Sequence, residues 1–207
     1  MKKIVVATNN NGKLAMIKEL FPDFRVLSLN DLEYFVEPEE NGATFEENAI
    51  IKAKFYHTNL NEICIADDSG ICIPVLNNFP GVRTKRWFQG TDRERNLAII
   101  EKLKDFKKED RKVNFITAIA IAINDTVIAE SATLSGFITD TPRGNNGFGF
   151  DEIFELENGK TLAELSFEEK LEISTRKKAL EKIRKYIDWK RWLLKNFDFL
   201  TATIFIL

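Results

Sequence analysis

A chain of 207 residues, 44% hydrophobic and 30% charged, is long enough to bury a sizeable core in one domain or two closely packed lobes, and it is globular rather than disordered. Basic residues number 30 against 32 acidic ones, a net charge of -2, which argues against a protein that coats nucleic acid through excess Lys and Arg. It leaves room for a small anionic ligand held by a few local cations. The two cysteines, Cys64 and Cys72, show neither disulfide-framework nor metal-ligand spacing, and with His57 as the only histidine the inventory lacks a His-based zinc site or triad.

In chain order, residues 3–7 read as a buried strand that is too short for a signal-peptide core. The polar turn Thr8-Asn9-Asn10-Asn11-Gly12 follows, and a helical pattern starts at Lys13 with Ile17, Leu20 and Phe21 on one face. Residues 25–29 read as a second strand and Glu37 to Gly42 as an acidic loop. Thr44 and Glu47 form a capping-box pattern ahead of a helix whose face is Phe45, Ala49 and Ala53. Two short apolar runs, 63–66 and 71–76, bracket Asp67-Asp68-Ser69-Gly70 and predict two buried strands joined by an acidic bend. Residues 92–106 read as an amphipathic helix with Leu97, Ile100 and Leu103 inward. Residues 113–123 and 127–138 read as a hairpin turning at Asn124-Asp125. A Pro/Gly/Asn loop covers 141–149, and a final helix starts after Ser166, with Ser166 and Glu169 as a second capping box. The sum is an α/β fold with a mixed sheet. From Trp192 onward the chain is mostly apolar but interrupted by charge. It falls short of a membrane span and reads as either an extra packing segment or an appendage.

Three constellations carry chemistry. Thr8 to Lys13 place a helix N-terminus and a lysine together, which suits a phosphate although the P-loop glycines are missing; an ordinary helix start is the alternative. Asp67 and Asp68 lie between apolar runs, where paired carboxylates are costly without a compensating cation; a solvated turn is the alternative. Gly147-Phe148-Gly149-Phe150-Asp151 offers close backbone approach and a ring that can stack on a base, or else is a glycine-rich strand entry with core phenylalanines.

These segments occur in one order with Thr44-Phe45-x-x-Asn48-Ala49-x-x-Lys52-Ala53, Lys160-Thr161 to Glu164-Leu165 and Ser174-x-Arg176. Over residues 3–187 that order resembles the inosine triphosphate pyrophosphatase family, the Ham1/RdgB-like enzymes. The resemblance implies a long mixed sheet with flanking helices, two lobes around a central nucleotide-binding cleft, usually in a cytoplasmic homodimer without nucleic-acid or membrane partners. It makes residues 188–207 an extension without a family counterpart. It implies Mg2+-dependent hydrolysis of ITP, dITP and XTP to the monophosphate and pyrophosphate, with Asp68 as general base. Metal ligands would be Asp68 and a carboxylate of the acidic loop, Glu40 by register or alternatively Glu39. Residues Thr8, Asn9, Asn10, Asn11, Gly12, Lys13 and Lys52 would hold the phosphates, and Ser69 would contact substrate. Phe148, Gly149, Phe150 and Asp151 would position the purine, and Lys170, Thr175 and Arg176 would read its 6-keto edge. Two positions depart from the family pattern: Thr175 stands where His is usual, and Glu152 where Pro is usual. A pyrimidine-directed pyrophosphatase and a non-hydrolytic nucleotide binder are the competing readings. The GFGFD loop with the C-terminal Lys/Arg set argues against the first, and the acidic pair against the second.

Overall fold

The structure, a computed structural model, describes residues 2–196. One mixed sheet runs through it in the order β2-β1-β3-β5-β6-β7, with β4 paired to the far end of β3. β1 (Lys3–Val6) lies parallel to both β2 (Arg25–Ser28) and β3 (Ile63–Ile73). β5 (Lys112–Ile123) and β6 (Thr126–Ile138) form the expected hairpin, in which Asn124 takes a left-handed φ of 52° that suits its short polar side chain. β4 (Phe79–Pro80) and β7 (Phe154–Glu155) are short edge pieces.

The acidic segment corrects the sequence reading. Asp67 to Gly70 do not bend: β3 is one strand of 11 residues, paired antiparallel to β5 from Cys64↔Ala122 to Cys72↔Asn114 without a break. Asp, Ser and Gly are turn-formers by habit. Here the ladder to β5 is complete and each carboxylate has its own cation, so strand pairing prevails. Gly70 is required by its surroundings, because a Cβ there would lie 2.1 Å from Thr84 Oγ1 and 3.0 Å from Phe45 Cε1.

Side chains alternate across β3, and each face meets different helices. On one face α1 (Asn11–Leu20) and α5 (Thr175–Asn196) pack Ile17, Leu180 and Ile183 against Ile65, Ile119 and Ile121. On the other, α2 (Phe45–Leu60) lays Ala49 and Ala53 on Ala66, Ala118 and Ala120, small residues that bring the helix close. A separate core at the far end gathers Ile99 and Leu103 of α3 (Asp92–Leu103) with Ile71, Ile73, Phe150 and Ile153. Each large aliphatic side chain buried this way contributes about 2 kcal/mol.

Two helices differ from expectation. α3 buries Asn96, Ile99 and Leu103, while Leu97 is 46% exposed. The Asn96 amide turns inward to donate to Gly149 O at 2.8 Å and Glu152 Oε1 at 2.9 Å, which rotates the helix away from its most apolar stripe. The predicted final helix is two: α4 (Phe167–Ile173), with the Ser166–Glu169 capping box complete, then a break at Ser174 (ψ 116°) and α5. The Ser174 hydroxyl accepts from Lys177 N at 3.2 Å, so it starts a new helix rather than continuing the old one. At Thr44 the cap forms, but Glu47 reaches Ala43 N instead of closing the box. α5 continues unbroken through Ile187 to Asn196, and residues 197–207 of the expected extension lie outside the described residues.

Candidate active site

Strand alternation sends Asp67 and Asp68 to opposite faces of the sheet. Asp67 points toward α1 and α5, where Lys13 Nζ lies 2.8 Å and Arg176 Nη2 3.0 Å from its Oδ2. Burial alone would raise this carboxyl, but the Arg176 and Lys13 charges override it and hold Asp67 well below the usual carboxylate range. Burial in turn pushes the Lys13 ammonium below its ordinary value, against the pull of Asp67.

Asp68 points toward α2. Asn48 and Lys52, one helical turn apart, meet it together: Asn48 Nδ2 donates to Oδ2 at 3.2 Å and Lys52 Nζ to Oδ1 at 3.4 Å. Lys52 also lies 2.6 Å from Glu40 Oε1, and Arg86 caps the same Glu40 carboxylate. Asn48 Oδ1 accepts from Gly42 N at 2.8 Å, so the acidic loop is tied to the residue that holds Asp68. Burial raises the Asp68 carboxyl above its ordinary value, an effect that Lys52 and Asn48 reduce and Glu40 reinforces. Glu40 moves the other way: burial would raise it, yet Lys52 and Arg86 leave it lowered. Glu39 is exposed, so Glu40 is the loop carboxylate that faces the site.

The turn after β1 is built as a helix entry. Asn10 Oδ1 caps Lys13 N at 3.1 Å, Thr8 Oγ1 accepts from Asn10 N, and Asn9 Oδ1 accepts from Asn30 N. α1 therefore starts at Asn11, two residues before the expected Lys13. Asn11 and Gly12 occupy its first turn, where backbone N–H groups lack helical partners and suit an anion.

A cavity of about 590 Å³ extends from this turn to the glycine loop. It brings together Thr8, Asn10, Lys13, Ser69, Phe148, Gly149, Phe150, Asp151, Lys170, Thr175 and Arg176. Asp68, Glu40 and Lys52 are not among its lining residues, but Ser69, Gly70 and Lys85 beside them are, and Lys85 bears on the charge of Glu40. At the loop end, Asp151 Oδ2 pairs with Lys170 Nζ at 2.7 Å, and Gly147 (φ 95°) passes so close that a Cβ would meet both. The two loop phenylalanines differ. Phe148 is 77% exposed and free to stack, whereas Phe150 is buried, with the Arg95 guanidinium 4.8 Å above its ring. Thr175 is buried and its hydroxyl shares a 2.7 Å hydrogen bond with Thr117. Glu152 accepts from Asn96 and pairs with Arg93, joining the loop to α3.

Sequence reasoning missed several lining residues: Thr84, Lys85, Asp92, Arg95, Phe115, Leu134, Leu162 and Ile173. Lys85 bears electrostatically on both Lys13 and Glu40. Asn48 carries no role in the sequence reading, although its spacing to Lys52 is the available signal.

The sequence model of the Ham1 family matches residues 4–186. A Bacillus anthracis protein named dITP/XTP pyrophosphatase is 42% identical over 198 residues, 91% of this chain and 98% of its own length. The solved Staphylococcus aureus Ham1 protein is 36% identical with a TM-score of 0.86, covering 91% of this chain and 100% of that one. A Coxiella burnetii HAM1 protein gives 0.84 at the same identity, over 91% and 99%.

Proposed function

The chain belongs to the Ham1 family, and from that premise we propose that it is a nucleoside-triphosphate pyrophosphatase that converts ITP, dITP and XTP to the monophosphate and pyrophosphate. The observation that carries this reading is the split acidic pair: one carboxylate organises two cations at a nucleotide-sized cavity, and its neighbour meets Lys52, itself paired with Glu40, on the other face of the strand.

Lys13, the first turn of α1 and Lys52 bind and orient the phosphates. Asp68 orients a water and takes its proton as the water oxygen bonds to the α-phosphorus; the bond to the β-phosphate bridging oxygen breaks and pyrophosphate leaves. Phe148 stacks on the purine. Lys170 and Arg176 present donors toward the 6-keto oxygen, so an amino group there leaves them unpaired. Arg176 and Lys13 share the Asp67 carboxylate, which ties the base-reading and the phosphate-binding cation to one residue.

The donor set fits magnesium. Asp68 and Glu40 offer hard oxygen ligands, and no group of three or more candidate ligands occurs among the described residues. Magnesium commonly binds through one or two carboxylates plus substrate phosphates, so this pair suits an ion that arrives with the nucleotide. When bound, it supplies neutralisation of the triphosphate charge. No helix among the described residues is long and apolar enough to cross a membrane, and a cytoplasmic homodimer completes the reading on family resemblance.

The test is a turnover panel of ITP, dITP, XTP, GTP, ATP and dUTP with and without magnesium, with products identified by phosphorus NMR. Pyrophosphate from the keto purines, dependent on the metal, is expected. Orthophosphate as product, preference for dUTP, or binding without turnover overturns the reading.

A further inference from the structure

α3 contributes to the cavity through residues that no motif marked. Asp92, in its first turn, accepts from Gly149 N at 2.6 Å and pairs with Arg95 one turn later. The Arg95 guanidinium carbon lies 4.8 Å from the Phe150 ring centroid, and its side chain is 15% exposed. Two cavity-lining arginines, Arg95 and Arg176, keep a buried Nε–H with no hydrogen-bond acceptor among the described residues. Nε of each arginine is closed to solvent, so a ligand in the cavity is met by the terminal guanidinium nitrogens.

Several polar groups at this end already have protein partners. Lys170 is held by Asp151 and Asn146 O, Thr175 by Thr117, and the Asp151 carboxylate by Lys170. Arg95 is engaged through one nitrogen to Asp92 and retains further donors on a planar fork. Its position is fixed from two sides, by the ion pair and by the ring, in the same cavity as the exposed Phe148.

We propose that Arg95 is a specificity residue that donates from α3 to a carbonyl oxygen of the purine. An acceptor-bearing keto base pairs with it, whereas an exocyclic amino group at that position sets donor against donor. This rests on the function proposed above and adds a residue of α3 to Lys170 and Arg176.

The experiment compares wild type, Arg95→Met and Arg95→Lys. Methionine keeps the length of the stem and apolar cover over Phe150 while removing every donor; lysine keeps the charge and loses the planar fork. Two ratios are read: kcat/KM for ITP over ATP with magnesium, and Kd for AMP over IMP by calorimetry without turnover. The expected result is a fall of about tenfold in both ratios for Arg95→Met, carried by the keto nucleotide, with part of it regained in Arg95→Lys. Equal losses for both nucleotides, or unchanged ratios, overturn the proposal and leave Arg95 as a structural cover for Phe150. Should Arg95→Met fail to fold, Arg95→Lys alone decides by the same ratios, since it lacks the fork. Should wild type release no pyrophosphate from ITP, the proposed function falls, and the IMP and AMP affinities still decide whether Arg95 reads the base.

Discussion

Asp67 and Asp68 are adjacent residues of one strand, yet they live in different chemistry. Asp67 is locked between two cations and held strongly ionised; Asp68 shares one lysine with Glu40 and an amide, and burial lifts it. The period of two that separates β-strand faces is the whole cause. A motif of two identical letters therefore encodes two environments, one carboxylate fixed between Lys13 and Arg176 and the other facing Lys52 and Asn48.

The sharpest way to test that division is to neutralise each carboxylate in turn. Asp68→Asn is expected to fold and bind nucleotide but to lose ~10²–10⁴-fold in kcat, the size of a lost general base. Steady-state turnover with a thermal-melt control checks it, and near-normal kcat would merge the two roles. Asp67→Asn is expected to act first on the fold. It leaves Lys13 and Arg176 without their carboxylate, at a cost of about 3 kcal/mol read from denaturant midpoints. A variant as stable as wild type would mean that Asp67 contributes nothing to holding those cations.

Next come the lysines on the two faces. Lys13→Ala and Lys52→Ala should each weaken ITP binding about tenfold and inosine binding far less, because the nucleoside lacks the charge they meet. Equal losses for both ligands, by calorimetry, would assign the lysines to folding. The smallest effect is expected at Thr175→Val. It strands the Thr117 hydroxyl, costs about 1 kcal/mol of stability, and leaves the ITP-to-ATP ratio of kcat/KM within about twofold. A large drop in that ratio would place the Thr175 hydroxyl on the base.

Much of this was legible in advance, for physical reasons. Long runs with clear period declare themselves, as in the β5–β6 hairpin and the Thr44-capped α2. The acidic strand was misread because composition reports what Asp and Gly do alone, and the cations that straighten it come from residues as distant as Lys13 and Arg176. The break at Ser174 was hidden since a capping serine inside a charged helical pattern looks like any surface serine. Arg95 and Asp92 escaped for the same reason: a charged residue near a helix start is ordinarily solvated, and only the fold reveals that the loop of Gly149 lies on top of it.

β3 has one more consequence. A single beam passes through the core under α1 and α5 and the core under α3, hydrogen-bonded to β5 along nearly its full length. Such a yoke has no hinge at the acidic pair, and flexing there would break ladder bonds in both partners. Any compliance of the cavity then resides away from the strand, in the glycine loop that lines its far end, so the lips can give while the jaw stays fixed.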